Sequence, residues 1–403
     1  MIVPAVGVPR PRRAAAMPPA LMECGSAYGF ANREAASHRN AEAAKRAVPN
    51  IPCRQHITVT GARQVRVPDF SRFALSTCVA VAMLTGCGGS QPPIGAPGAM
   101  PQTRAIDTHD RGGSWMLSEA KSKDLLYVSN YGTSQVYVYS YPKGSLVGKI
   151  SGFDVVSGVC ADGAGHVFVT NYVASGLSNI LEFPHGGTSP IASLEDSGMA
   201  PQDCSSDTVT GNLAVTNYCK VVNGACGGNG DISIYRKAKG FPKVYGAFDL
   251  LSPYSCGYDN RGNLYVDGTG RHGAFKFAEL LRGSSLLTNI RLHGTPDHER
   301  IENPGGVRWD GKYVAVGESQ IEFGRPLIYL TTGARGRIVD RMTLHRSHAV
   351  FHFWIEGKTL IAPNSTSKGG EVLFYKYPPA SKPNKTIRGL SFPIGATVSV
   401  AGQ

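Results

Sequence analysis

Short runs of alternating apolar and polar residues recur at a nearly constant interval from Leu125 to the C-terminus. In each unit two such runs flank a tight turn, as in residues 158–171, and a third run rich in aromatic residues follows. Alternation with period two predicts half-buried strands, and Asp with Gly between two runs predicts a turn. The acids at these turns, called here the marker acids, lie 45, 52, 51 and 46 residues apart: Asp162, Asp207, Asp259, Asp310 and Glu356.

A fourth, weaker run follows the third, such as residues 190–194. A repeat of this length with four short strands is typical of a β-propeller blade. The first unit, around Leu125, lacks a first strand, and residues 393–401 have the pattern of that missing strand. Five complete units and one shared unit predict an all-β, six-bladed β-propeller over residues 115–403, in which the C-terminal strand completes the first blade. Such closure removes two exposed sheet edges. Residues 115–119 are the alternative candidate for the missing strand.

The repeat phrases resemble those of known propeller families. Pro-Gly-Gly-Val at Pro304 and Asp-x-x-Gly-x-Leu-Tyr-Val at Asp259 resemble NHL-type repeats. They are also similar to the six-bladed propellers that include gluconolactonases of the senescence-marker family. The resemblance spans about residues 115–402 and implies a fold that hosts binding proteins and enzymes alike. The chain departs from the common repeat because four of its second strands end in Asn rather than Asp.

The second-strand ends supply six polar residues, called here the rim residues, which a propeller places at one mouth of its channel: Asn130, Asn171, Asn217, Asp267, Glu318 and Asn364. Oxygens of these kinds bind Ca²⁺ or another divalent cation, or hydrogen-bond a sugar or a peptide. In the gluconolactonase-like enzymes that the repeats resemble, a metal held there by Glu, Asn and Asp activates a lactone carbonyl. The alternative interpretation is structural: each Asn caps a strand-to-loop turn.

The sequence of the first 114 residues divides into three segments, none of which is predicted to form a folded core. Residues 1–62 are rich in Ala, Arg and Pro, and are predicted to be disordered or absent from the mature protein. Residues 63–87 have the basic start and short apolar run of a signal peptide. Their end, Leu-Thr-Gly-Cys87, resembles a bacterial lipobox, which implies cleavage before Cys87 and a lipid on its sulfur. The Gly- and Pro-rich residues 88–114 predict a flexible tether.

The charge of +12 does not indicate a nucleic-acid partner. Residues 1–87 carry a net charge of +7, and the remainder carries +5 with no basic run. Scattered charges of this kind are typical of a solvated surface.

Five cysteines follow Cys87. Cys219 and Cys226 flank a Gly- and Asn-rich insertion, and in an oxidising compartment they predict a disulfide. The other three, Cys160, Cys204 and Cys256, lie in predicted first strands and are expected to be buried free thiols. A Cys204–Cys256 bridge is the less favoured alternative.

The histidines carry no metal-binding signature, and His345, His348 and His352 are interpreted as surface or turn residues. No Gly-x-Ser-x-Gly elbow, phosphate-binding loop or Cys-x-x-Cys pair occurs, so no catalytic residue is assigned.

These features favour a non-catalytic binding or scaffold module at the cell envelope. A lipid anchor would hold it on the periplasmic or extracellular face, with a protein or carbohydrate ligand that the sequence does not identify. One alternative is a metal-dependent hydrolase or lactonase of the gluconolactonase-like type that uses the rim residues. A third hypothesis is a structural envelope protein whose outer blade faces contact polymer or wall.

Overall fold

The structure is a computed structural model that describes residues 113–246, 249–294, 301–319, 326–366, 368–378 and 382–402. The predictions for residues 1–62, 63–87 and the lipidated Cys87 therefore lie outside the described residues, as do those for nearly all of the tether. Within the described ranges no helix has the length and apolar character needed to cross a membrane.

The described residues form six antiparallel sheets, each a blade of the predicted propeller. Blade 1 comprises, from its inner to its outer strand, β25 (Pro393–Ser399), β2 (Leu125–Asn130), β3 (Gln135–Ser140), β4 (Leu146–Ile150) and β1 (Trp115–Met116). Blade 2 comprises β5 (Val155–Ala161), β6 (Val167–Tyr172), β7 (Asn179–Phe183) and β8 (Ala192–Glu195). Blade 3 comprises β9 (Met199–Ser206), β10 (Leu213–Val222), β11 (Ala225–Tyr235) and β12 (Lys243–Tyr245).

The other three blades have the same order along the chain. Blade 4 comprises β13 (Ser252–Tyr258), β14 (Leu264–Thr269), β15 (Phe275–Leu280) and β16 (Leu287–Asn289). Blade 5 comprises β17 (Pro304–Trp309), β18 (Val314–Glu318), β19 (Leu327–Thr331) and β20 (Ile338–Thr343). Blade 6 comprises β21 (Trp354–Glu356), β22 (Thr359–Thr366), β23 (Gly369–Lys376) and β24 (Lys385–Leu390). The described helical residues form 3-10 turns at Ser118–Ser122, Tyr131–Thr133, Arg236–Ala238, Arg271–Gly273 and Gly333–Arg335.

The C-terminal strand closes the ring, as predicted. β25 pairs antiparallel with β2, from Leu125 opposite Ser399 to Asn130 opposite Pro393. The alternative first-strand candidate is wrong, because Trp115 lies opposite Lys149 at the outer edge of blade 1. The two ends of the described chain therefore belong to one sheet.

The marker acids form the turns that the sequence predicts. Oδ1 of Asp162 accepts hydrogen bonds from the backbone N–H groups of Ala164 and His166, at 2.9 and 2.8 Å. Asp259 makes the same pair of contacts in blade 4. Gly165 follows with a φ of 86°, a left-handed conformation that glycine adopts without strain. These turns fix the register between the first and second strands.

The apolar core is divided among the interfaces between neighbouring blades. One cluster lies between blades 1 and 2, around Tyr127 and Phe183, and another lies between blades 6 and 1, around Phe374 and Val398. Four further clusters lie between the other consecutive pairs of blades. Because every interface is apolar, each blade needs both neighbours to bury its faces.

Two disulfides are present in the described residues, and only one of them was predicted. The Cys219–Cys226 bridge is confirmed and lies in the part of β10 and β11 that extends beyond the blade. The expected free thiols of Cys160 and Cys204 are wrong, because these residues form a bridge with a Cα–Cα distance of 5.7 Å. Cys256 is free and buried.

Strand geometry explains this correction. Cys160 lies two residues before its marker acid and Cys204 lies three residues before its own. Since successive side chains of a strand point to opposite faces, this offset of one residue turns the two thiols toward each other across the interface between blades 2 and 3. Gly158 permits the close approach, because a Cβ atom there would lie 2.5 Å from Cα of Asp203.

Candidate functional site

The inner strands contact one another closely around the centre of the propeller. Four residues before each marker acid, blades 2 and 5 carry Gly158 and Gly306. A Cβ atom at Gly306 would lie 2.7 Å from the Phe353 ring of blade 6. The same position carries polar side chains in blades 3, 4 and 6, and these are Asp203, Ser255 and His352. Three polar side chains are therefore brought into a crowded centre.

A buried ion pair links blade 3 to blade 5 at this centre. Nη1 of Arg308 lies 3.1 Å from Oδ2 of Asp203, and Nη2 lies 3.3 Å from Oδ1. The two side chains are 6 % and 1 % exposed. Nη1 also donates to the carbonyl oxygen of Cys256 in blade 4, at 2.7 Å. The pair therefore spans three blades, with fork-to-fork geometry that favours Arg over Lys.

Ser255 completes the connection between these blades. Its hydroxyl donates to Oδ2 of Asp203 at 2.5 Å and accepts a hydrogen bond from the backbone N–H of Val307 at 2.9 Å. Burial acts to raise the pKa of Asp203, but the charges of Arg308 and His352 and the hydrogen bonds from Arg308 and Ser255 hold it below its ordinary value. Asp203 is therefore an ionised carboxylate.

His352 contacts this group from blade 6. Its ring stacks on Tyr254, with centroids 5.2 Å apart, and Nδ1 lies 3.5 Å from Oδ2 of Asp203. Neither ring nitrogen has a hydrogen-bond partner among the described residues. The interpretation of His352 as a surface or turn residue is wrong, because its side chain is fully buried. We call Asp203, Ser255, Arg308 and His352 the channel cluster.

The imidazole of His352 is neutral at ordinary pH. Burial lowers its pKa to about 4; the charge of Asp203 opposes this shift and the charge of Arg308 adds to it. The channel cluster therefore combines one anion, one cation and a neutral ring that disfavours protonation.

Acid should destabilise the fold through His352. Its pKa is about 4 in the folded chain against an ordinary 6.5, so the unfolded chain binds the proton more tightly. This contribution of His352 to the free energy of unfolding, about 3 kcal/mol, is complete above the ordinary pKa. It is lost as the pH falls from there through the pKa of the folded chain. Asp196, whose pKa burial raises to about 7, changes stability in the opposite direction over a similar range. The wild-type pH profile alone therefore hides the effect.

A comparison of the wild type with His352→Gln isolates the contribution of His352 to the pH dependence of stability. Urea unfolding at about pH 7.5 and about pH 4 should show the wild type losing about 3 kcal/mol relative to the variant. His272→Asn is the matched control, because His272 is exposed and has a φ of 56°, which Asn tolerates. Parallel pH profiles for wild type and His352→Gln would contradict the assignment.

The rim residues are buried in the second strands. The prediction that they end these strands holds for Asn130 and Glu318 and is wrong for the others, because β6, β10, β14 and β22 continue past them. Most rim oxygens accept hydrogen bonds from backbone N–H groups. In five of the six, a side-chain oxygen accepts a hydrogen bond from an N–H in a first strand or in the segment that leads into it. The pairs are Asn130 with Phe392, Asn171 with Asp154, Asp267 with Ser255, Glu318 with Glu302 and Asn364 with His348, at 2.7–2.9 Å. No hydrogen bond in the described chain joins two rim residues. These contacts have the geometry of structural caps, and ligand binding by the rim stays a prediction.

Asn217 is the exception among the rim residues. Its Nδ2 donates to Oδ1 of Asp231 at 2.8 Å and to Oγ of Ser233 at 3.2 Å, while its Oδ1 is buried with no partner in the described residues. Asp196 lies beside it, with Oδ1 3.4 Å from the same Nδ2.

Sequence reasoning missed the channel cluster, although the repeat contains a signal for it. Two residues before the marker acid, the other complete units carry Cys160, Ser205, Gly257 and Trp354, and blade 5 carries Arg308. A charge at one copy of a position that is otherwise uncharged indicates a specific partner. Asp203, two blades away, has a similar signal, because it is the only carboxylate among the residues four positions before the marker acids. The sequence does not show that the two charges meet.

The sequence matches no protein-family model and no curated protein. Solved structures with the same fold include the following two. A chain in the crystal structure of a nidogen/laminin complex is 14 % identical, with a TM-score of 0.54 over 70 % of this chain and 100 % of that one. A Bacteroides caccae protein of unknown function is 13 % identical, with a TM-score of 0.51 over 69 % of this chain and 99 % of that one. At these identities the likeness establishes a propeller fold and nothing about activity.

Proposed function

We propose that the protein is a non-catalytic binding propeller of a bacterial cell envelope, anchored to the membrane through a lipidated Cys87. The observation that carries the proposal is the use of the rim oxygens by backbone amides at five of six positions. Those bonds fix the segments that lead into the first strands on one face of the propeller. A face fixed in advance loses little conformational entropy when a ligand binds, which favours recognition.

The envelope location is supported by two independent features. The Leu-Thr-Gly-Cys87 sequence after a short apolar run resembles a lipobox. The Cys160–Cys204 and Cys219–Cys226 bridges are of a kind that persists in oxidising compartments and is rare in the cytosol.

A protein ligand is favoured over a sugar by what lies on the rim face. Leu177, in the loop between β6 and β7, is 69 % exposed, and Val222, at the end of the β10–β11 ribbon, is 44 % exposed. The ribbon leans onto blade 2, where the Tyr172 hydroxyl donates to the carbonyl oxygen of Gly224 at 3.1 Å. Exposed aliphatic side chains can join the apolar core of a protein interface, whereas they offer no hydrogen bond to a sugar hydroxyl. The similar nidogen/laminin chain belongs to a complex of two proteins.

Site-directed photo-crosslinking in intact cells tests this proposal. A photoreactive residue replaces Leu177 in the full chain, and the matched control carries it at Phe241, which is 83 % exposed at the opposite end of the strands. We expect Leu177 to link one envelope protein reproducibly and Phe241 not to link it. Equal labelling from both positions, or none, would overturn the proposed face. Lactone hydrolysis that requires Asp267 and Glu318 would establish the enzymatic alternative instead.

A further inference from the structure

A second group of polar side chains, three of them buried and Asp231 half-buried, lies in blade 3, away from the channel cluster. Asp196 precedes β9, Asn217 ends the regular part of β10, and Asp231 and Ser233 lie in β11. Nδ2 of Asn217 lies within 3.4 Å of Asp196, Asp231 and Ser233, and Oγ of Ser233 donates to Oδ1 of Asp196 at 3.0 Å. We call these four residues the blade-3 oxygen cluster.

The cluster has two carboxylates and no cationic partner. Among the described residues neither Asp196 nor Asp231 forms an ion pair with Lys, Arg or His. Asp196 is 4 % exposed and Asn217 is fully buried. Burying carboxylates without a compensating charge is strongly unfavourable, so these two acids must be neutralised either by a proton or by a bound cation.

Two oxygens of the cluster have no hydrogen-bond partner within the described residues. They are Oδ2 of Asp196 and Oδ1 of Asn217, both in side chains that are more than nine-tenths buried. Buried acceptors are almost always satisfied by a donor or by a bound ion. Since the nitrogen and oxygen of an amide have nearly the same shape, a half-turn of the Asn217 side chain brings its oxygen toward both carboxylates.

We infer that the blade-3 oxygen cluster binds one calcium ion. The ligands are the carboxylates of Asp196 and Asp231 and the amide oxygen of Asn217, with the Ser233 hydroxyl beside them. Calcium accepts mixed carboxylate, amide and hydroxyl oxygens in irregular geometry, and it completes its six to eight ligands with water or backbone carbonyls. The described residues contain no group of three His, Cys, Asp or Glu suited to a metal, so this site depends on its neutral oxygens.

The bound ion would stabilise the base of the disulfide-closed ribbon. The turn that begins at Asp196 is joined to the ribbon, because the N–H of Val221 donates to the carbonyl oxygen of Gly198 at 2.7 Å. Gly198 in turn donates to the carbonyl oxygen of Gly176 in blade 2, at 2.7 Å. Calcium would thus join three segments on the rim face, and it does so whether or not that face binds a protein.

Thermal unfolding of the full chain in EDTA and in CaCl₂ tests the site. The cluster variants should melt below the wild type in CaCl₂, but at or above it in EDTA. In CaCl₂ the wild type should melt about 5 °C higher than in EDTA at a hundredfold excess over Kd. Asp196→Asn and Asp231→Asn should abolish this shift. In EDTA both variants should melt at or above the wild-type temperature, because each removes an uncompensated carboxylate.

A control variant and the number of bound ions show whether the effect of calcium is specific to this cluster. Asp249→Asn removes a carboxylate that pairs with Lys276 in blade 4, and it should leave the calcium shift unchanged. Equilibrium dialysis with calcium alone should give one ion per wild-type chain and none for Asp231→Asn. No bound calcium, or a shift that survives in both cluster variants, would overturn the inference. The crosslinking result at Leu177 does not enter this test, so the two proposals can fail separately.

Discussion

Deletion of residues 393–403 should abolish the cooperative fold. The deletion removes β25, whose pairing with β2 closes the ring, and it removes Ala396 and Val398 from the cluster between blades 6 and 1. Two blade edges and two apolar faces then become exposed together, which favours aggregation. The loss should exceed the whole stability of a typical domain, about 5–15 kcal/mol. Size-exclusion chromatography and circular dichroism melting of the truncated chain measure it.

The control removes the same number of residues from the predicted tether at 88–114, which should leave the melting temperature unchanged. A C-terminal truncation that stays monomeric and melts like the parent would show that β25 does not close the ring.

Arg308→Met should cost about 3–5 kcal/mol, because it leaves Asp203 charged, buried and without its cation. Met keeps most of the side-chain volume, so the effect reports the lost charge rather than a cavity. Urea unfolding near neutral pH measures the change in the free energy of unfolding. Adding Asp203→Asn to Arg308→Met should recover part of the loss, since the double variant carries no buried charge at this position.

The control for Arg308→Met is the loss of an ion pair at the protein surface. Lys276 and Asp249 lie 2.8 Å apart, but both side chains are about a third exposed. Lys276→Met should therefore cost no more than about 1 kcal/mol. Equal costs for Arg308→Met and Lys276→Met would mean that the channel cluster does not hold the inner strands together.

The fold could be predicted because its determinants are local and repeated. The four aspartates among the marker acids accept hydrogen bonds from backbone N–H groups a few residues away, as Asp162 does from Ala164 and His166, so these turns are visible in short stretches of sequence. The period of those turns then gives the number of blades. Even ring closure was recoverable, because the first repeat lacks a strand that the chain end supplies.

The channel cluster and the Cys160–Cys204 bridge depend instead on contacts between blades. Arg308 and Asp203 are 105 positions apart, and they meet because the ring brings the inner strands of blades 3 and 5 to one centre. The sequence around His352 suggests a surface or turn residue, yet in the structure its ring stacks on Tyr254 in the interior. Such pairings follow from blade packing and the direction of each side chain, which the repeat pattern does not encode.

The rim residues should hold the connecting segments rigid and so prepare one face for a ligand. Native-state hydrogen exchange with single-residue resolution tests it directly, at the N–H groups that donate to rim oxygens: Asp154, Ser255, Glu302, His348 and Phe392. If the segments are rigid, these amides exchange only through the opening that also exposes core strands such as β2 and β10. Exchange at the fast rate of exposed loop amides such as that of Gly240 would contradict it.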